Sequence, residues 1–539
     1  MPVFLYGVFE IMLGERSQQL ESGGSFFYEE PSQVFSVEDF SSDESMMVAT
    51  AEQFSRKEVL PLVERIEKQE DGLMPDLIRK AGQLGLLGID AAEEYGGLGL
   101  GKNLAARIIE MLSLNASFSV TAGVTSGIGQ LGLSLYGTEP QKHKYLPKVL
   151  SGEWVAAYCL SEPNSGTDAL AASSQAKRQG GHWLLNGSKM WVSNAKWANL
   201  FLVVARIEGE GLAAFLVERD YAGVRIEREE HKMGLKGSST ARVTLENVEV
   251  PLSNLLHEPG KGHYVALNAL NLGRFKLSSM SLGPARDAFE NSLRYSQERR
   301  QFGQPICNFG LIRKKIAESA IRYFLAESMI YRTGHLIDLA FEKWGGTVEG
   351  NQRAAAEFAL ECSSCKVFAS EAQGFIVDEA LQVFGGYGFT EEFPVARHYR
   401  DARISRIYEG TNEINRVSIA SRLLKSASSC KGRSPQSFAH DLALKLLASP
   451  QEDQIYLGAL ADLAILHFAE QSARLRAHRV GGCAQMLYTS SLGWLQAKAV
   501  EAFRCARPDS LECPKVDLPQ HDEIAQAALE RGTLLSAVP

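Results

Sequence analysis

The sequence predicts a mainly α-helical protein with one β domain at its centre and a helical extension behind. Three observations carry this. Apolar residues recur at three- and four-residue spacing over residues 52–70 and 76–87, the period of helices that bury one face. Between Trp183 and Val250 the pattern becomes short β-branched and aromatic runs divided by Gly and Asn, as in an antiparallel sheet. From His263 to Lys425 the chain is helical again, with Ile312, Ile316, Ala320 and Phe324 on one stripe, and long helices joined by short breaks pack as a bundle.

Taken in order, residues 1–44 are an irregular lead-in, rich in Ser, Glu and Phe, that wraps over another part of the molecule. Residues 45–155 form a helical domain, broken by the Gly-rich stretch Glu94-Tyr-Gly-Gly-Leu-Gly-Leu-Gly101 and resuming over residues 105–112 and 141–150. Residues 156–255 form the β domain, with strands over 183–186, 190–193, 200–206, 212–218 and 241–250, closed by Pro251. Residues 262–425 form the bundle, the Ser- and Gly-rich joint 426–434 follows, and residues 435–539 are a helical extension. Within it, residues 459–479 end on Arg474, Arg476 and Arg479. That basic end fits either peripheral contact with a membrane or packing on the main body or a second subunit.

Composition bounds the class. With 539 residues, 45% hydrophobic and 22% charged, the chain is a globular protein of about three domains. A net charge of -8 excludes nucleic acid as the main partner. Eight cysteines without framework spacing point to a reducing compartment. The one C-x-x-C, Cys362-Ser-Ser-Cys365, lies in a helical run without a second pair and reads as two packed thiols, and no spacing suggests a metal. Residues 1–14 carry Glu10 and lack a basic region or a cleavage pattern, so they read as neither signal nor transit peptide. No stretch reaches the ~20 apolar residues of a membrane span. The expectation is a cytoplasmic protein.

The Gly-rich segments match neither a P-loop nor a dinucleotide-binding fingerprint. Tyr158-Cys-Leu-Ser-Glu-Pro-Asn-Ser-Gly-Thr-Asp168 offers hydroxyls and backbone amides on a Gly-containing loop, suited to phosphate or to the polar edge of a flat ligand. Lys189-Met-Trp-Val-Ser-Asn194 offers an indole. A ring could stack on Trp191 and hydrogen-bond to Ser161 and Ser193, whereas a strand Trp is more often core. Glu409, between Tyr408 and Gly410, also fits two environments. It is either a partly desolvated base beside a close backbone approach, or a surface carboxylate favouring the helix begun at Thr411 or Asn412. In isolation these residues favour the second, because surface carboxylates outnumber catalytic ones.

Cys159-Leu-Ser-Glu-Pro-Asn-Ser-Gly-Thr-Asp168 resembles the first signature of the acyl-CoA dehydrogenases. Gln382-Val-Phe-Gly-Gly-Tyr-Gly-Phe-Thr-Glu-Glu392, continuing to Arg397 and Asp401, resembles the second. The likeness spans residues from about 45 to 425. The lead-in, the tail, Leu272-Gly-Arg-Phe275 and Gln301-Phe-Gly-Gln-Pro-Ile-Cys-Asn-Phe-Gly-Leu-Ile312 are similar to the very-long-chain branch.

This resemblance implies an N-terminal helical domain, a middle antiparallel β domain and a C-terminal four-helix bundle, with FAD between the last two and across a homodimer interface. It implies FAD contacts from Tyr158, Cys159, Leu160, Ser161, Gly166, Thr167, Trp191, Val192, Ser193, Thr411 and Glu413. Arg299, Gln301, Phe302, Gln382 and Gly386 would hold the adenosine and pyrophosphate of the FAD in the neighbouring subunit. Glu409 matches the family base, with Thr167, Asn271, Arg274, Tyr408 and Gly410 at substrate-contacting positions. One branch carries its base just before the arginine equivalent to Arg274. Here that position is Gly273, and Asn271 stands where some members have Asp.

The implied reaction, in fatty acid β-oxidation, converts a long-chain acyl-CoA to the trans-2-enoyl-CoA. Glu409 removes the α-proton, the hydride passes to flavin N5, and electrons pass on to an electron-transferring flavoprotein. The small residues of Val120-Thr-Ala-Gly-Val-Thr-Ser-Gly127 suit a deep acyl slot or tight helix packing equally. Rival readings are a dehydrogenase for short or branched thioesters, an oxidase, and a non-catalytic partner working through its tail.

Overall fold

The computed structural model describes residues 22–425, 434–451, 453–507 and 521–534. Residues 1–14 and most of the joint, 426–433, lie outside the described residues. The helical part opens with α1 (Ser42–Phe54), α2 (Val63–Glu67), α3 (Leu73–Gln83), α4 (Lys102–Leu112), α5 (Ala116–Thr125), α6 (Ile128–Tyr136) and α7 (Glu139–Leu150). A capping box starts α1, where Ser41 and Glu44 satisfy each other's backbone N–H groups. Helices α5 and α6, which periodicity left unmarked, are buried around most of their circumference, so no polar face betrays their period.

The sheet runs β6 (Val224–Glu229), β7 (Thr240–Pro251), β3 (His182–Ser193), β2 (Gln175–Gln179), β4 (Ala198–Ile207), β5 (Gly211–Glu218) and β8 (Leu255–Leu256), with β1 (Val155–Cys159) also beside β4. Pairing is antiparallel except that β1 and β2 run parallel to β4. Strand β4 is buried on both faces: Leu200, Leu202 and Val204 join the main core, while Phe201 and Val203 fill the sheet's own. That explains its unbroken apolar run.

The bundle comprises α8 (Gly262–Glu298), the hairpin β9 (Arg300–Gln301) and β10 (Gln304–Pro305), then α9 (Gly310–Trp344), α10 (Val348–Glu357), α11 (Ala359–Phe384), α12 (Pro394–Ala402) and α13 (Asn412–Lys425). Helices α8, α9, α11 and α13 pack together, and α11 buries both Cys362 and Cys365. The extension, α14 (Phe438–Leu447), α15 (Gln454–Val480), α16 (Gly482–Ala506) and α17 (His521–Arg531), docks chiefly on α9 and α13.

The lead-in fills the seam between bundle and extension. Phe26 and Phe27 lie against Phe468 and His440, and the Phe26 carbonyl accepts from His467 Nε2 at 3.0 Å. Its acids meet the basic end of α15: Glu30 pairs with Arg474, Glu38 with Arg476, and Asp39 with Arg479. Those arginines are therefore engaged as a helix packed on the main body requires. Arg476 also reaches Glu327 of α9 at 2.9 Å, with both side chains fully buried. Among the described residues no helix is long and apolar enough to cross a membrane.

Removing one member of a buried ion pair leaves the other's desolvation uncompensated. Arg476→Ala is expected to cost about 3–5 kcal/mol, seen as a lower thermal unfolding midpoint, with part recovered by adding Glu327→Gln.

Candidate active site

Beyond α12, a short 3-10 turn delivers the chain to Tyr408, Glu409 and Gly410 before α13 begins. Glu409 adopts φ 58° and Gly410 φ 82°. For a glutamate this left-handed backbone costs on the order of 1–3 kcal/mol. Hydrogen bonds hold it. Arg274 Nε donates to the Glu409 carbonyl at 3.0 Å, and Lys366 Nζ and Asn415 Nδ2 each donate to the Gly410 carbonyl at 2.8 Å.

The turn places Glu409 against α8, where its Oε2 is sealed from solvent and has no hydrogen-bond partner among the described residues. Burial pushes its carboxyl up to about 7, against the opposing pull of Arg274 and Lys366. Gly273 provides the space: a Cβ there would lie 3.0 Å from Glu409 Oε2 and 2.8 Å from Ile128 Cγ2. The helix-start role belongs to other residues, since Thr411 Oγ1 accepts from Ile414 N–H at 3.3 Å and Glu413 occupies the first turn of α13.

Lys366 is a site residue that sequence reasoning missed. It is fully buried in α11, and it also donates to Asn412 Oδ1 at 2.7 Å. Burial pushes its ammonium down to about 7, although nearby Glu409 raises it. The available signal was a lysine within the small and apolar run 362–369. Arg274 finds its described partners within the protein: besides the Glu409 carbonyl it approaches Asn271 Oδ1 and Ser363 Oγ, both at 3.4 Å. Tyr408 lines a cleft with Ala116, Ser119 and Val120 of α5 and Leu277, Met280 and Pro284 of α8. Gly123 instead serves packing, because a Cβ there would sit 3.0 Å from Met280 Sδ.

The two sequence segments of the β domain meet, as Met190 N–H donates to the Ser161 carbonyl at 2.9 Å. Glu162 folds the first one. It accepts from Ser173 N–H at 2.7 Å, Ser174 N–H at 2.9 Å and Lys189 Nζ at 2.6 Å. Burial alone would raise its carboxyl, but Lys189 and the serines hold it at about 2. Gly166 and Thr167 are exposed, and a Cβ on Gly166 would meet nothing within 4 Å.

In β3 the pairing with β7 slips between Lys189 and Val192, and Trp191 sits at this bulge with φ 59° and 61% exposed. It is therefore an outward-facing indole rather than a core residue. Ser193, the last residue of β3, is half-buried beside it. The Cys159 and Val192 side chains lie inside the sheet and Leu160 in the main core, so these three have backbone groups to offer a ligand. Tyr158 joins the two halves: it packs near Glu409, and burial together with that carboxylate raises its phenol.

Arg299, Gln301, Phe302, Gln382 and Gly386 form a separate surface. The Arg299 guanidinium lies 5.7 Å from the Tyr387 ring centroid, Phe302 is 93% exposed at the hairpin tip, and a Cβ on Gly386 would meet nothing. No described hydrogen bond or ring contact joins this group to the other two.

Family models of the N-terminal, middle and C-terminal domains of acyl-CoA dehydrogenases match residues 41–153, 157–248 and 260–424. A probable acyl-CoA dehydrogenase of Bacillus subtilis (strain 168) is 43% identical over 451 residues, 81% of this chain and 76% of that one. The mitochondrial very long-chain specific acyl-CoA dehydrogenase of Rattus norvegicus is 38% identical over 388 residues, 68% of this chain; the match spans 57% of the rat protein. An acyl-CoA dehydrogenase complexed with FAD from Bacillus anthracis superposes with a TM-score of 0.88 at 38% identity, over 96% of this chain and 100% of that chain.

Gly273→Ala is expected to keep the fold, because alanine is favoured over glycine within a helix. It should nevertheless displace the Glu409 carboxylate and lower turnover about tenfold to a hundredfold, measured at unchanged flavin content.

Proposed function

The chain belongs to the acyl-CoA dehydrogenase family, and on that premise we propose that it dehydrogenates long-chain acyl-CoA with Glu409 as the α-proton base. It is an FAD flavoprotein oxidoreductase. FAD, when bound, supplies the acceptor for the hydride leaving the β-carbon. The residues present fit that group: the Ser161–Thr167 loop offers hydroxyls and amides, Trp191 an exposed indole, and Gly166 open space on its side.

The observation that carries the reading is the sealed, unpartnered Oε2 of Glu409. A carboxylate without donors is a stronger base than one that is solvated or paired, and a pKa near the working pH suits proton transfer. The Glu409 backbone N–H, which no described residue accepts, is the proposed donor to the thioester carbonyl as enolate charge develops. Thr167, Asn271, Arg274, Tyr408 and Gly410 are the proposed substrate contacts, with Thr411 and Glu413 beside the cofactor.

The exposed apolar surface of Phe302, Tyr387 and Phe389 supports a homodimer in which Arg299, Gln301, Gln382 and Gly386 meet the partner's FAD. An electron-transferring flavoprotein is the proposed acceptor, and release of peroxide in air would instead identify an oxidase. The likeness to the very long-chain specific enzyme of Rattus norvegicus supports long acyl chains.

Anaerobic titration with palmitoyl-CoA is expected to bleach the flavin of the wild type, at a rate that rises with pH through about 7 as Glu409 loses its proton. In Glu409→Gln the reduction should be about 10²- to 10⁴-fold slower; equal bleaching would place the base elsewhere. Across a thioester panel, C16 should turn over better than C4 or C6. Turnover confined to the short substrates would overturn the long-chain assignment, and a protein that cannot be loaded with FAD would point to a non-catalytic partner.

A further inference from the structure

We propose that Asp462, on α15 of the C-terminal extension, is a positioning residue for the Glu409 turn, acting through Arg416, Glu371, Asn412 and Lys366. The inference rests on the assignment of Glu409 as the base. A continuous chain of hydrogen bonds connects them. Arg416 Nε donates to Asp462 Oδ1 at 2.7 Å, while its Nη1 and Nη2 grip Glu371 Oε1 and Oε2 at 2.8 and 3.0 Å. Glu371 Oε1 accepts from Asn412 Nδ2 at 3.0 Å. Asn412 Oδ1 in turn accepts from Lys366 Nζ, whose other bond goes to the Gly410 carbonyl.

The chain runs from wet to dry. The Asp462, Glu371 and Arg416 side chains are partly exposed, whereas Asn412 and Lys366 are sealed. Its outer end lines a cavity between α11 and the extension helices α15 and α16, with Phe375, Leu466 and Trp494 on the apolar side. Across that gap, Arg416 is the bridge between extension and catalytic bundle. The planar guanidinium takes Glu371 in a two-pronged grip and Asp462 on its remaining edge, so orienting one orients the other. Asp462 thus fixes the plane of Arg416, Arg416 fixes Glu371, and Glu371 holds Asn412 so that its oxygen faces Lys366. The Gly410 carbonyl is the last acceptor, one peptide from the base. In this way the extension restrains the left-handed turn that keeps Oε2 of Glu409 sealed.

The groups facing Glu409 are Arg274 from α8, Lys366 from α11, Tyr158 from β1 and the neighbouring Tyr408. None belongs to the extension, so an effect of Asp462 on proton abstraction must travel through the bridge.

The test compares Asp462→Ala and Asp462→Asn as full-length holoenzyme, in wild-type and Lys366→Met backgrounds, by anaerobic flavin reduction with palmitoyl-CoA across pH. Asp462→Ala should slow reduction about threefold to thirtyfold with KM within about twofold, and move the acid limb of the pH profile lower as water reaches the loosened turn. Asp462→Asn, which keeps an acceptor for Arg416, should recover most of the rate. In the Lys366→Met background the Asp462→Ala effect should vanish, as groups acting through one another are not additive. Equal losses in both backgrounds, or a lowered unfolding midpoint with reduction rate and pH profile unchanged, would overturn the proposal. Glu409→Gln separates the two readings. If it still reduces normally, the base assignment has failed; if it is inactive while Asp462→Ala matches the wild type, the bridge alone has failed.

Discussion

A carboxylate oxygen sealed from both water and hydrogen-bond donors is unfavourable, and the architecture around the half-buried Glu409 maintains that state at Oε2. The side chain cannot reach its own partners because the backbone at 409 and 410 is turned left-handed and clamped through its carbonyls. The clamps come from three separate helices: Arg274 from α8, Lys366 from α11 and Asn415 from α13. Both cations give their hydrogen bonds to carbonyl oxygens, so they anchor the turn, and they act on the carboxylate only through their charge. A surface loop could adopt the same dihedrals only transiently; a bundle gives them permanence because three buried donors would lose partners if the turn relaxed.

The β domain is built by the same logic with opposite polarity. Glu162 is a buried carboxylate given every donor it can use, and it organises a loop rather than reacting. Asn194, at the end of β3, donates to the carbonyls of Thr121 in α5 at 3.2 Å and Ala156 in β1 at 2.9 Å. The strand that presents Trp191 and the helix that walls the cleft are thereby one piece. Two glutamates of the same chain thus occupy opposite ends of the carboxylate range, near 7 and near 2, through the number of donors around each.

The order of helix, sheet and helix was legible because it depends on hydrophobic period. The segments around Ser161 and Gly386 were legible because they resemble the two signatures of the acyl-CoA dehydrogenases. Strands β1 and β2 were not, because β1 is buried along nearly its whole length and β2 exposed at all but one residue, so neither alternates. Helices α5 and α6 escaped because burial on all sides erases amphipathicity. For Glu409 and Trp191, local sequence favoured the commoner reading, surface acid and core indole. The resemblance to the family signatures reversed each reading, while the left-handed backbone at both positions is a property that no side-chain pattern encodes. Lys366 was illegible for another reason: its role depends on Gly410 and Asn412, more than forty positions away in the chain.

Gly273 bears on the chemistry of the turn as well as on its shape. A Cβ at that position would press on the Glu409 carboxylate, 3.0 Å from Oε2. Acids at both positions would press two carboxyls together to share one proton, one ionised and the other with its pKa strongly raised. With glycine at that place on α8, the glutamate of the turn before α13 titrates without a second carboxyl beside it.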